Sequence, residues 1–288
     1  MKNLYTLLMV PLLLHAQPSV PPVVTRSAVA AAETLIGLTF GDAKRDSMID
    51  DLNEQLASYL ALRQIPLSND IPPSIVFNPI PLGMKLPSGR AQFRMSPVLR
   101  VTRPANLEDL AFSSIGQLAE LLRTRKVTSE ELTRMYISRL KRFGPKLECV
   151  ITLTESLALA QARRADREIA AGKYRGPLHG IPYGAKDLLA TKGIRTTWGS
   201  VPFKEQIIDE DATVIKRLEE AGAVLLAKLT LGELAWGDVW FGGKTRNPWN
   251  LEQGSSGSSA GSAAATAAGL VAFSIGSETW GSIVSPSN

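Results

Sequence analysis

Residues 254–269 read GSSGSSAGSAAATAAG, a run with four glycines, five serines and almost no bulky side chain. Gly/Ser-rich segments of this kind are commonly flexible linkers. Here the run leads into the apolar segment 270–275, LVAFSI, and then into a second small-residue turn at 276–283, GSETWGSI. A linker rarely leads directly into a core strand. We therefore interpret the run as the centre around which the fold is organised.

Helix and strand patterns alternate in the sequence before this run. Thr128 and Glu131 form a capping-box pattern, Gly172 closes a helical pattern, and Asp211 is placed to cap a further helix. Alternation of this kind predicts an α/β fold in which helices flank a central sheet. The predicted helices cover 115–125, 128–140, 156–171 and 211–221, and the predicted strands cover 149–153, 181–186 and 223–227.

The first third of the chain has a different character. Residues 27–63 carry apolar side chains at helical spacing, which predicts amphipathic helix. Residues 65–104 hold eight of the 18 prolines, and proline removes backbone donors, so this segment is predicted to be an extended arm. The predicted organisation is therefore a helical N-terminal region with a Pro-rich arm over 17–106, followed by an α/β domain over 107–288.

The N-terminus resembles a targeting segment. Lys2 precedes an apolar run over 4–14, which is shorter than the about 20 residues that span a bilayer. The pattern predicts a signal peptide over 1–16 that is cleaved after Ala16, hence a secreted or periplasmic protein without a stable membrane anchor. A buried N-terminal helix is the alternative.

Composition narrows the function classes. The chain has 288 residues, 44% hydrophobic residues and a net charge of +5, but its basic residues are spread among acids without a dense cluster, so no nucleic-acid partner is predicted. The lone Cys149 allows no internal disulfide. The glycines are not followed by the Gly-Lys-Ser/Thr of a phosphate loop, and neither a cofactor nor a metal is predicted.

Serine chemistry needs a base that takes the hydroxyl proton. The chain has two histidines, and His15 lies in the predicted signal peptide, which leaves His179. Lysine is the other choice, provided that its ordinary pKa near 10.4 falls by about 3, which corresponds to about 4 kcal/mol. Lys186 fits because it follows an apolar strand with glycines nearby, although an ordinary solvent-exposed lysine is the alternative.

A second pattern offers a different nucleophile. Residues 257–261 satisfy Gly-x-Ser-x-Gly with Ser259 at the centre, the nucleophile-elbow pattern of α/β-hydrolase esterases. An elbow follows a strand directly, whereas residues 247–253 form a polar, turn-rich loop. A Gly/Ser-lined binding pocket without catalysis is a further alternative.

Five segments together resemble the amidase signature family. They are GIPYGAKD at 180–187, the helix and strand over 211–228, NPWN at 247–250, GSSAGSAAA at 257–265 and GSETWGSI at 276–283. The resemblance covers about residues 107–288 and implies an amidase-signature fold with a central mixed β-sheet. Family members continue well beyond the position of Asn288, so the fold is expected to be incomplete at the C-terminus, as in a fragment.

The resemblance implies hydrolysis of amide C–N bonds by a Ser-Ser-Lys triad. Ser282 corresponds to the nucleophile, Ser258 to a proton-relaying serine on a cis peptide bond, and Lys186 to the base. An acyl-enzyme intermediate would release a carboxylic acid and ammonia or an amine from a small-molecule or peptide-like amide. A catalytically inactive truncated homologue is the alternative. The family's role within tRNA-dependent amidotransferases is disfavoured by the predicted export, and the oligomeric state is not predicted.

The second turn is expected to form the oxyanion hole, with backbone N–H groups from Thr279, Trp280, Gly281 and Ser282. Three residues in or near it depart from the family pattern. Trp280 stands where glycine is common, Glu278 where aspartate is common and Val284 where arginine is common. The bulky indole is expected to narrow the pocket, and the other two changes remove an expected ion pair.

Overall fold

The computed structural model describes residues 23–68, 71, 74–86, 88–89 and 101–288. The chain divides into two compact units, Met1–Ala91 and Gln92–Asn288. The predicted signal peptide lies outside the described residues, and the predicted domain limits at 16/17 and 106/107 stay predictions. Within the described residues, no helix is both long and apolar enough to cross a membrane.

Among the described residues of the first unit, two helices form, α1 (Arg26–Ile36) and α2 (Asp42–Leu62). They divide the predicted helical segment at Gly37, whose φ of 68° places it in the left-handed region that ends a helix. The side chain of Arg45 pairs with Glu33 at 2.7 Å between the two helices. The predicted amphipathic pattern of the second helix is not expressed as burial, because α2 has no buried residue.

The predicted helices over 115–125, 156–171 and 211–221 form with ends within about two residues of the prediction, whereas the helix that opens after Thr128 continues to Leu147, past its predicted end at 140. The helices Ala260–Ala267 and Val284–Ser287 were not predicted. Both Ser114 with Gln117 and Thr128 with Glu131 form complete capping boxes. The predicted cap at Asp211 is wrong: its carboxylate accepts the N–H of Lys192 at 2.8 Å. The helices are α3 (Ile115–Arg123), α4 (Ser129–Leu147), α5 (Glu155–Ala170), α6 (Thr213–Glu220), α7 (Ala260–Ala267) and α8 (Val284–Ser287).

A mixed four-stranded sheet forms the centre of the second unit. Its spatial order is β1 (Val150–Leu153), β3 (Val224–Leu229), β2 (Pro182–Lys186) and β8 (Phe273–Ile275). β2 is parallel to both of its neighbours, and β1 is antiparallel to β3. Two small antiparallel pairs stand apart from it, β4 (Val239–Trp240) with β5 (Gly243–Lys244) and β6 (Arg246–Asn247) with β7 (Asn250–Gly254). The predicted α/β fold with a mixed sheet and flanking helices is confirmed.

The Gly/Ser run packs against this sheet as α7. A Cβ atom on Gly261 would lie 2.4 Å from the backbone nitrogen of Thr230, and Ala264 and Ala265 are buried in the main core. Small side chains therefore allow the helix to approach the sheet closely. The predicted strand over 270–275 shortens to β8, because the N–H of Leu270 closes α7 by donating to Ala265 at 2.8 Å.

Candidate active site

Lys186 is the last residue of β2, and its side chain is fully buried. Because β2 and β8 are parallel neighbours, their carboxyl ends lie at the same edge of the sheet. The turn after β8 therefore meets Lys186. Lys186 Nζ contacts three hydroxyl oxygens, at 2.7 Å to Ser258, 2.8 Å to Ser277 and 3.2 Å to Ser259.

Burial lowers the pKa of Lys186 to about 8, since an ammonium loses hydration inside the protein; the negative charge of Glu278 opposes this shift. The three contacts of the amine are neutral hydroxyls, and no ion pair links Lys186 to a carboxylate among the described residues. An amine with this pKa is substantially neutral near pH 8, which is the state in which it accepts a proton.

A second buried lysine lies beside it in a different electrostatic setting. Lys228 on β3 pairs with Asp187 at 2.9 Å, and both side chains are fully buried. The other carboxylate oxygen of Asp187 accepts the N–H and hydroxyl of Thr197 at 2.8 and 2.5 Å. Burial lowers the pKa of Lys228 as well, but its contacting Asp187 counterion opposes that shift. In the part of the chain that the structure describes, Lys186 has no such counterion in contact.

Ser258 reaches Lys186 from the loop that precedes α7. The Gly257–Ser258 peptide bond is cis, and Ser258 is buried. A Cβ atom on Gly257 would lie 1.9 Å from the carbonyl oxygen of Gly237, so only glycine fits at this approach. The cis bond that the family resemblance implies is present at the expected residue.

The hydroxyl of Ser259 makes three hydrogen-bond contacts within the protein. Its hydroxyl donates to the carbonyl of Ser277 at 3.1 Å, accepts the N–H of Ser277 at 3.1 Å and contacts Lys186. It follows β7, which belongs to a two-stranded pair, and a loop; no strand of the central sheet precedes it directly. This setting does not match the exposed elbow that the Gly-x-Ser-x-Gly pattern suggested.

The turn that carries Ser282 wraps around one carboxylate. Glu278 accepts the backbone N–H groups of Gly281, Ser282, Ile283 and Val284, at 2.8 Å for Ser282 and 3.1 Å for Val284. These bonds, that of Ile283 foremost, hold the pKa of Glu278 below its ordinary value. Successive N–H groups that converge on an anion form a nest. The sequence pattern identified Glu278 only as a departure and gave no sign of this contact.

Ser258 and Ser282 line one cavity of about 620 Å³. The N–H groups of Thr279 and Trp280 have no hydrogen-bond partner among the described residues, whereas those of Gly281 and Ser282 face Glu278. The structure thus brings Lys186 and Ser258 into contact and places Ser282 on the same cavity wall. The residues that line this cavity are Leu188, Leu234, Ala235, Trp236, Gly237, Ser256, Gly257, Ser258, Ser277, Thr279, Trp280, Ser282 and Ser285.

Sequence reasoning missed Ser277, whose hydroxyl accepts from Lys186. The available signal was its place in the second Gly/Ser turn directly after an apolar strand. His179, the other candidate base, is buried next to Glu168 at 3.1 Å and accepts the N–H of Arg175 through Nδ1 at 3.1 Å. It precedes β2, while Lys186 ends it, so the histidine lies at the opposite end of the strand. Across the described residues, no group of three or more His, Cys, Asp or Glu side chains is arranged to hold a metal.

Known proteins that are similar to this chain in sequence and structure have the same architecture. The family model for Amidase matches residues 131–288. A glutamyl-tRNA(Gln) amidotransferase subunit from Moorella thermoacetica is 40% identical over 183 residues, which cover 62% of this chain and 38% of that protein. The solved peptide amidase from Stenotrophomonas maltophilia has 40% identity and a TM-score of 0.57, covering 62% of this chain and 38% of that one. A solved fatty acid amide hydrolase has 29% identity and a TM-score of 0.59, covering 62% of this chain and 32% of that one.

The fold and the lysine–serine cluster define a protein of the α/β class with a buried Ser-Lys site. The family match extends over more than half of the chain, and the chain belongs to the amidase family. It spans about two fifths of the length of the curated relatives that it matches. The predicted membership of the amidase signature family is confirmed.

Proposed function

We propose that the protein hydrolyses amide C–N bonds through a relay of Lys186, Ser258 and Ser282. The observation that carries the proposal is the 2.7 Å contact between Lys186 Nζ and Ser258 Oγ, made by a buried amine that contacts no carboxylate of residues 23–68, 71, 74–86, 88–89 or 101–288. Family membership supports the reaction class, and the shared cavity supports Ser282 as the third member.

In the proposed reaction, a proton first passes from Ser282 through Ser258 to Lys186 and then returns along the same path to the leaving group. Neutral Lys186 takes the proton of the Ser258 hydroxyl while Ser258 takes that of Ser282, whose oxygen attacks the carbonyl carbon. The same relay then returns a proton to the amide nitrogen, the C–N bond breaks, and ammonia or an amine leaves an acyl group on Ser282. Water attacks this ester by the same proton path and releases the carboxylic acid.

The developing oxyanion needs donors beside Ser282. The free N–H groups of Thr279 and Trp280 suit this role directly. Those of Gly281 and Ser282 are held by Glu278, and a carboxylate repels an oxyanion at short range. We therefore expect the Glu278 side chain to turn away before all four donors of the expected hole act together.

The test measures ammonia release from butanamide by the protein and by Lys186→Ala, Ser258→Ala and Ser282→Ala. Each variant is expected to lose activity by about 10³-fold or more, as for other residues that act as one catalytic unit. Ser262→Ala is the matched control from the same run, since its hydroxyl bonds to the carbonyl of Ile275 at 3.1 Å. Undiminished activity in Ser282→Ala would contradict the relay.

A second candidate follows from the names of the curated relatives, which are amidotransferase subunits. The predicted export over residues 1–16 argues against that role, because charged tRNA is cytoplasmic. N-terminal sequencing of the mature protein separates the two. A start at Gln17 supports export, and an intact Met1 in the cytoplasm supports the amidotransferase role.

A further inference from the structure

Two tryptophans form one wall of the cavity that holds Ser258 and Ser282. The rings of Trp236 and Trp280 stack with centroids 6.0 Å apart and an interplanar angle of 21°. Their exposed fractions are 73% and 82%, so this aromatic surface faces solvent. Large exposed indoles in a concave site are a recurrent feature of ligand-binding surfaces.

The described residues give this cavity an uncharged lining. All thirteen residues that line it within the described part of the chain are apolar, glycine, serine or threonine. Lys186 lies behind the serines, and Glu278 is turned into its own loop, so neither faces the cavity as a counterion. A charged ligand group would lose hydration here without gaining a partner.

Size and position indicate which part of the ligand meets the wall. A cavity of about 620 Å³ lies within the range of about 300–1,000 Å³ for small-molecule sites. Trp280 is two residues from Ser282, and the acyl part of an amide is the part that stays on the nucleophile after the C–N bond breaks. The indole wall is therefore placed to contact the acyl group.

We infer that this site selects neutral amides whose acyl part carries an aromatic or similarly flat apolar group, and that Trp236 is the specificity-determining side chain. The inference rests on the proposed function for the identity of the nucleophile. Recognition itself depends only on the stacked pair and the uncharged cavity. Binding and hydrolysis are consequently separable by experiment.

The experiment measures binding by calorimetry in Ser282→Ala protein, so that no ligand is consumed. The probes are 4-phenylbutanamide, butanamide and the anion glutaramate, which share a primary amide on a similar chain. The phenyl compound is expected to bind at least about tenfold more tightly than butanamide, as expected for burial and stacking of a ring. Glutaramate is expected to bind more weakly than butanamide.

Substitutions locate the effect. Adding Trp236→Ala is expected to reduce the phenyl preference to about threefold or less, and Trp236→Lys is expected to reverse the order of glutaramate and butanamide. Trp249→Ala is the matched control, because Trp249 is 79% exposed and lines a different cavity. Equal affinities for 4-phenylbutanamide and butanamide would overturn the inference. So would a preference for 4-phenylbutanamide that survives Trp236→Ala. A phenyl preference without hydrolysis by the unsubstituted protein would instead contradict the proposed function alone.

Discussion

At the scale of single residues, two neighbouring buried lysines show how contacts decide a role. Lys186 and Lys228 lie on adjacent strands, yet within the described parts of the chain only Lys228 of the two has a carboxylate in contact. Burial lowers the pKa of both amines; at Lys228 the contacting Asp187 carboxylate opposes that shift, whereas at Lys186 only the charge of Glu278, which is not in contact, opposes it. The apolar strand pattern predicted burial at Lys186. The pairing of Asp187 with Lys228 depends on the register of β2 against β3, which no local pattern reports.

The lowered pKa of Lys186 predicts the pH dependence of the reaction. Its pKa of about 8 lies below the ordinary value, so the amine is protonated and inactive at low pH and becomes a base as the pH rises. We expect kcat/KM for butanamide to rise about tenfold per pH unit below pH 7 and to level off above about pH 9. Ammonia release between pH 6 and 10 measures this profile, and a rate that falls over the same range would contradict a lysine base.

The two lysines are also expected to differ in stability experiments. Lys228→Met leaves the buried Asp187 carboxylate without its partner. Breaking a buried ion pair in this way is expected to lower the free energy of unfolding by about 3 kcal/mol. Lys186→Met removes an amine that burial already disfavours, and its loss is expected to be smaller by about 2 kcal/mol at pH 7. Urea unfolding of both variants measures the difference in free energy of unfolding. A greater destabilisation by Lys186→Met than by Lys228→Met would contradict the view that Lys186 is the lysine without a stabilising ion pair.

At the scale of elements, the site joins the end of β2, the start of α7 and the turn after β8. The sequence allowed us to predict that these three segments carry the site, because small residues and apolar runs are typical of closely packed backbone. The contacts of Ser277 and Glu278 were not predictable in the same way. They arise because parallel β2 and β8 end at one edge and because the turn closes on its own carboxylate.

The Glu278 contacts predict an ordered turn at neutral pH. Glu278→Ala removes the acceptor of four N–H groups, and we expect faster amide hydrogen exchange at Ser282, Ile283 and Val284. Because these bonds lower the pKa of Glu278, the protection is present above the ordinary carboxyl pKa and is lost as the pH falls through the lowered value. Exchange measured by NMR or mass spectrometry tests this.

Glu252→Ala supplies the control for that experiment, since Glu252 is exposed on β7. Its substitution is expected to leave exchange in the turn unchanged. Unchanged exchange in Glu278→Ala as well would mean that the carboxylate does not order the turn.

At the scale of the whole molecule, the second unit holds the complete lysine–serine cluster. The central sheet, the helices that flank it and the Gly/Ser run all lie within residues 101–288. Sequence patterns predicted the fold class because helix caps and strand periodicity are local. The strand order is a long-range property that no local pattern reports. The contacts of Glu278 with backbone N–H groups three to six residues later are local, but they depend on the backbone conformation of the turn, which the residue types do not specify.

In the proposed mechanism, Ser282 is the nucleophile, and Ser258 and Lys186 activate it. A fluorophosphonate probe reacts covalently with an activated serine, and peptide mapping then identifies the labelled residue. We expect one adduct, at Ser282, and we expect its yield to be strongly reduced in Lys186→Ala. An adduct at Ser259, or no adduct on an otherwise folded protein, would contradict this mechanism.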